Sequence, residues 1–222
     1  MPTVIYDETE VVDIPAWVVN LRTFQRWLDS DQFPERGKVW FIRGEVWADM
    51  SWEQVFTHGQ VKNAIAFRLT AIVQREKIGR FFPDGLRIVN VAAEISGSPD
   101  GTFVSFETLK RGKARYVSHR EGGVQQIRGT PDLVVEVVSK SSVDKDTEWL
   151  QKAYWEAGIP EYWLVDARES PLSFQILKRT ARGYVPVRKV QGWTKSAVLN
   201  REFRLIERIN GLGQPDYRLA ER

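Results

Sequence analysis

The chain contains no cysteine in 222 residues, which excludes disulfides and thiolate metal sites and is compatible with a reducing compartment. No apolar run approaches membrane-spanning length, so no membrane partner is expected. Residues Met1 to Asp13 carry acidic side chains where a signal peptide needs a basic start and an apolar stretch; the expectation is a cytoplasmic protein. Nothing reads as a linker or an internal repeat. One domain over 1–222 is expected, with a core over about 38–168, an N-terminal arm over 1–37 and a C-terminal β extension over 169–222. A dominant charge of one sign is missing too. Lysine and arginine number 32 against 29 Asp and Glu, a net +3, which permits nucleic-acid binding without demanding it.

Hydrophobic residues at 42% and charged residues at 27% are those of a globular protein and exclude a disordered chain. Tryptophan is abundant. Its nine copies are spread along the chain and read as core or subunit-interface residues rather than one binding stripe. Residues 19–28 suggest a short amphipathic helix with Leu21, Phe24 and Trp27 at helical spacing. Two short strands over 38–42 and 45–48 flank the turn Arg43-Gly44. Ser51 is the expected cap, with Gln54 as its capping-box partner, of a long helix whose face carries Val61, Ile65, Leu69 and Ile72. Pro83-Asp84-Gly85 reads as a turn with a hairpin approach, 172–177 and 184–190 as a terminal hairpin, and 198–206 as an added edge strand.

Glu136 stands inside Leu133-Val134-Val135-Glu136-Val137-Val138, a run that reads as a strand buried on both faces. A carboxylate there needs a cation, a base or a hydrogen-bond donor, because an unpaired buried charge costs several kcal/mol. A Ser/Asp-rich helix start follows, then a helix to Ala157-Gly158 and a second apolar strand over 161–166. This is a βαβ unit, and ligands bind such units at the carboxyl end of the first strand.

Four Pro-Asp pairs occur, at Asp84, Asp100, Asp132 and Asp216. Asp132 shares the strand of Glu136, but four residues at roughly 3.3 Å each separate them by about 13 Å. Asp100 opens the strand expected over 102–106. If that strand pairs antiparallel with 133–138, Asp100 falls beside Glu136 at an interstrand spacing of about 4.8 Å, close enough for both to hold one hard cation. The Val137 carbonyl is a further candidate ligand. Such a pair describes a Mg²⁺-dependent (or Mn²⁺-dependent) phosphodiesterase. The alternative is structural: Glu136 pairs with a buried Arg or Lys, and Asp100 only shapes a turn. The segment containing Lys110, Arg111, Lys113 and Arg115, continued by His119, Arg120 and Arg128, either tracks phosphates or is a solvated loop.

Ser98-Pro99-Asp100, the run 129–139 and the run 154–166, which ends Glu-Tyr-Trp-Leu-Val-Asp, resemble the Uma-type restriction endonucleases, a branch of the PD-(D/E)XK nuclease superfamily. The likeness extends over about 40–166. It implies an α/β restriction-endonuclease-like fold, a mixed central sheet flanked by helices, with Asp100 and Glu136 in the metal-carboxylate positions. Glu45 and His58 also match recurrent positions, on a strand and on the first long helix. The chain departs from the pattern at the lysine: Val138 stands two residues after Glu136, and Leu150 stands where many relatives carry a helical lysine. Lys140 has the strand parity to curl over the site, whereas Lys152 points away from the apolar helix face. The implied function is a divalent-metal-dependent endonuclease acting on DNA, with Lys140 or His58 as the positioning or proton-transfer group and a homodimer by analogy. The alternatives are a degenerate nuclease fold that binds nucleic acid or protein, and a structural dimer with tryptophans at its interface.

Overall fold

The computed structural model describes residues 12–118 and 122–222, together with the backbone of 4–6. Along the chain run β1 (Val4–Tyr6), α1 (Leu21–Leu28), β2 (Lys38–Ile42), β3 (Glu45–Asp49), α2 (Val61–Glu76), β4 (Gly79–Pro83), β5 (Arg87–Asn90), β6 (Ile95–Gly97), β7 (Gly101–Ser105), α3 (Phe106–Lys110), β8 (Ala114–Ser118), β9 (Val124–Gly129), β10 (Leu133–Val137), α4 (Leu150–Glu156), β11 (Glu161–Asp166), β12 (Ser173–Thr180), β13 (Gly183–Pro186), β14 (Thr194–Ser196), β15 (Arg201–Ile209) and β16 (Pro215–Glu221). The strands form three sheets, ordered β1-β3-β2-β6-β5-β9-β8, β13-β12-β11-β10-β7-β4 and β14-β15-β16. In the six-stranded sheet β10 runs parallel to β11 and antiparallel to β7, so the architecture is mixed α/β.

The apolar run of β10 is buried throughout because both faces of its sheet are covered. On one face Leu133, Val135 and Val137 pack with Ile65 and Leu69 of α2 and with Phe203 of the third sheet. On the other, Val134 packs with Leu150 and Tyr154 of α4 and with Trp40 and Ile88 of the seven-stranded sheet. The outer side of that sheet is closed by α1, whose Leu21, Phe24 and Trp27 meet Val39, Phe41 and Val46. Asn20 and Thr23 form a capping box that starts α1 where the periodicity placed it.

Three of the four Pro-Asp pairs stand at places where the chain passes from one of the two large sheets to the other. Pro83-Asp84 leads from β4 to β5, Ser98-Pro99-Asp100 from β6 to β7, and Thr130-Pro131-Asp132 from β9 to β10. Proline cannot donate to a ladder, so it ends strand pairing, and the following aspartate accepts from groups left over at the corner. Asp132 accepts from the Ser105 N–H at 2.6 Å and the Thr108 hydroxyl at 2.7 Å, which fixes the start of α3. The Asp84 and Asp100 crossovers lie side by side, joined by a 3.1 Å bond from the Asp84 N–H to the Asp100 carbonyl.

Three local expectations need correction. Pro83-Asp84-Gly85 does not close a hairpin, because β4 and β5 belong to different sheets. Ser51 does not cap the long helix. Its hydroxyl donates to Asp49 Oδ1 at 2.6 Å, and Gln54 caps instead, accepting from the Thr57 N–H at 2.5 Å to begin a π-helical turn, Val55–Gln60, that runs into α2. The segment read as an edge strand over 198–206 instead leads through a turn into β15, the central strand of a separate sheet whose Phe203 and Leu205 pack against the six-stranded one. Glu161, the first residue of β11, holds this sheet by accepting from Trp163 Nε1 (2.7 Å), Ser196 Oγ (2.6 Å) and the Ala197 N–H (2.9 Å).

Candidate active site

The β7–β10 register pairs Gly101 with Val135, so Asp100 and Glu136 face each other one step further on. The backbone N–H of Val137 donates to Asp100 Oδ2 at 2.8 Å, carrying the ladder past the end of β7 through a side chain. Asp100 is 6% exposed and Glu136 2% exposed. The two carboxylates are kept in different ways.

Asp100 is ringed by basic side chains. Lys38, the first residue of β2, donates to its Oδ1; Lys62 Nζ lies 3.8 Å from the same atom; His58 Nε2 lies 3.4 Å from Oδ2. Burial pushes the carboxyl pKa up, but Lys38 first, then His58 and Lys62, hold it well below the usual carboxylate range. The Lys38 ammonium is raised in turn: burial opposes its charge, and Asp100, Asp84 and Glu136 outweigh that opposition. Glu53 completes the ring, reaching His58 Nδ1 at 2.8 Å and pairing with Lys62, which also meets Asp84 Oδ2 at 2.9 Å.

Glu136 lies deeper. Its Oε1 accepts from the Tyr154 hydroxyl at 2.6 Å. Burial pushes its pKa up to about 8 against the pull of Lys145, with Asp100 and Asp146 adding to the rise. Lys145 is itself buried, paired with Asp146 and placed 5.0 Å from the centroid of the Trp40 ring. Trp40 fits there because residue 97 is glycine, where a Cβ would fall 1.7 Å from the indole Cε3. The other Asp146 oxygen accepts from Ser142 at 2.5 Å.

A cavity of about 270 Å³ opens over this group, with Asp49, Glu53, Asp100, Glu136 and Asp146 in its wall against Lys38, Lys145 and His58. An excess of carboxylates disfavours a phosphodiester by itself and favours a cation. The donors are all hard oxygens, two carboxylates and the Val137 carbonyl, which suits Mg²⁺ or Mn²⁺. Among the described residues no three acidic or histidine side chains converge as a ready-made ligand set. The remaining positions on such an ion would go to water and substrate, the habit of Mg²⁺.

Of the residues singled out from sequence, Asp100, Glu136, Val137 and His58 line this cavity. Lys140 does not. It is exposed beyond the end of β10, where the chain turns through a 2.9 Å bond from the Ser139 N–H to Ser142 Oγ. Lys152 is exposed on α4, away from the cavity wall, and Glu45 is half-buried at the start of β3, also outside it. Lys110, Arg111, Lys113 and Arg115 are exposed and follow the opposite end of β7 from Asp100; His119 and Arg120 lie outside the described residues. Lys38, Lys62 and Lys145 were not anticipated from sequence. Residue 38 is a charged residue opening an otherwise apolar strand, the one signal that pointed to it.

Glu136 carries a measurable signature. Its pKa near 8 in the folded protein lies above an ordinary value of 4.5, so the fold holds a proton that the unfolded chain releases between those limits. The stability it confers is full below the lower value and is lost as pH rises through the upper one. With divalent cations chelated, the melting temperature is expected to fall from about pH 5 to about pH 8, and Glu136→Gln is expected to reduce that slope. Asp100, depressed rather than raised, contributes a loss only below about pH 4, outside this window. A wild-type melt that is level or rises over the window would contradict the assignment.

The fold that positions these side chains has a counterpart among solved structures. The crystal structure of "a putative nuclease belonging to DUF820" from Anabaena variabilis matches with a TM-score of 0.60 at 16% identity, over 82% of this chain and 91% of that one. The fold is therefore of the restriction-endonuclease-like class. More particularly, the Uma2 family, described as "Putative restriction endonuclease", matches residues 21–205, and the chain belongs to it. No curated protein matches the chain. No helix among the described residues is long and apolar enough to cross a membrane.

Proposed function

We propose that the chain is a divalent-cation-dependent endonuclease that hydrolyses DNA phosphodiesters at the Asp100–Glu136 cavity. The observation that carries this is the facing of two buried carboxylates at the β7–β10 register, Asp100 bound by Lys38 and Glu136 by the Tyr154 hydroxyl. A bound Mg²⁺ or Mn²⁺ supplies Lewis-acid activation of the phosphodiester and of the attacking water. The protein's part is positional. The Val137 N–H and the Tyr154 hydroxyl fix the two carboxylates, and Lys38, whose side chain reaches the cavity, offers an ammonium to a phosphate oxygen. His58 stands between the two acids, with Nε2 3.4 Å from Asp100 Oδ2 and Nδ1 2.8 Å from Glu53 Oε1, and helps to orient Asp100. Lys145 stays buried against Asp146 and balances charge beneath Glu136.

The test is removal of the cation. Nicking of supercoiled plasmid should require Mg²⁺ or Mn²⁺ and stop with excess chelator; equal products in chelator would defeat the proposal. A second reading, a degenerate nuclease fold that only binds nucleic acid, draws on Lys38 bound directly to Asp100. It predicts salt-sensitive DNA binding with no cleavage under any cation.

A further inference from the structure

Trp52 is 90% exposed, whereas Trp27, Trp40, Trp47 and Trp163 are all buried. It lies in the wall of the carboxylate cavity. The chain on either side of it is pinned. Ser51 donates to Asp49 through its hydroxyl at 2.6 Å and its N–H at 3.0 Å, and its hydroxyl lies 3.0 Å from that of Ser141, just beyond β10. Glu53, on the other side, is held by His58 and Lys62. A large apolar ring is thus presented to water from a loop tied down on both sides, in the wall of the cavity that Lys38 also lines.

From this we infer that Trp52 is a stacking platform for an unpaired base next to the phosphate in the cavity, so that the preferred substrate is a single strand or a locally opened duplex. The inference rests on the nuclease reading for the position of the phosphate. Its physical basis is that every base has a π-face: one base–aromatic stack strengthens binding by about tenfold or more without selecting a sequence. In an intact duplex the faces are already stacked on their neighbours, and an indole at a cavity mouth has no base to receive. Trp52 touches neither carboxylate in this role. It is a positioning and specificity residue.

The test is fluorescence anisotropy of labelled DNA with the whole protein, using Ca²⁺ in place of Mg²⁺ to limit hydrolysis. Short oligothymidylate, the same backbone built of abasic units, and a duplex are compared for wild type, Trp52→Ala and Trp52→Phe. Wild type should bind oligothymidylate about tenfold more tightly than the abasic strand. Trp52→Ala should lose that difference and Trp52→Phe should largely keep it, with duplex affinity unchanged in both. Equal oligothymidylate affinities for wild type and Trp52→Ala would overturn the inference and leave the indole to a protein contact. A loss of the same size on abasic and duplex DNA would overturn it too, as a general disturbance of the loop, and so would a wild type that binds none of the three. Plasmid nicking by the same preparations separates the two levels. Nicking with no effect of Trp52→Ala on binding fails the stacking inference alone; Trp52-dependent binding without nicking fails the catalytic reading alone.

Discussion

Replacing Glu136 by glutamine is expected to lower cation-dependent cleavage by about 10³-fold or more, close to 4 kcal/mol of transition-state stabilisation, while the protein stays folded. Glutamine keeps an oxygen for the Tyr154 hydroxyl to donate to, so the packing of α4 on the sheet is preserved. It removes the negative charge that a cation needs and the proton that the folded carboxyl otherwise binds. Turnover on supercoiled plasmid, a thermal melt and calorimetric titration with Mn²⁺ check the three parts together. Cleavage within tenfold of wild type, in a variant that no longer binds Mn²⁺, would remove the carboxylate pair from the mechanism.

The second large effect is at Lys38. Lys38→Met keeps most of the side-chain volume at the head of β2 and deletes its ammonium, and turnover should fall about 10²-fold through the loss of one charged contact to the phosphate. Affinity for Mn²⁺ should hold or rise, because the ammonium and the cation compete for Asp100. That split distinguishes a positioning cation from a structural one. Full activity with weakened metal binding would reverse the assignment. Lys62 and His58 remain near Asp100, so the buried charge is not orphaned and the melt should move by only a few degrees.

The carboxylate pair was readable because strand physics is local. A glutamate inside a two-sided apolar run, and an aspartate after a proline at the head of another strand, each stand out within about ten residues. The register between them needed only the assumption of antiparallel pairing, and β7 and β10 do pair that way. Lys38 could not be found by the same means. It is 62 residues from Asp100 and belongs to another sheet, so no period or spacing connects them. Lys140 looked eligible by strand parity. The strand, however, ends at Val137 and the serine turn carries Lys140 into solvent. The false hairpin at Pro83-Asp84-Gly85 has the same origin: a turn motif specifies a change of direction, not which sheet receives the next strand.

Paired crossovers at Asp84 and Asp100 make the cavity a property of the seam between two sheets, since β2 supplies the ammonium from one sheet and the β6–β7 corner supplies its counter-charge at the entry to the other. One layer holds the carboxylate pair and the other the Lys38 ammonium. Were the layers to slide apart on warming, the two carboxylates would stay side by side on one ladder while Asp100 lost the ammonium nearest to it.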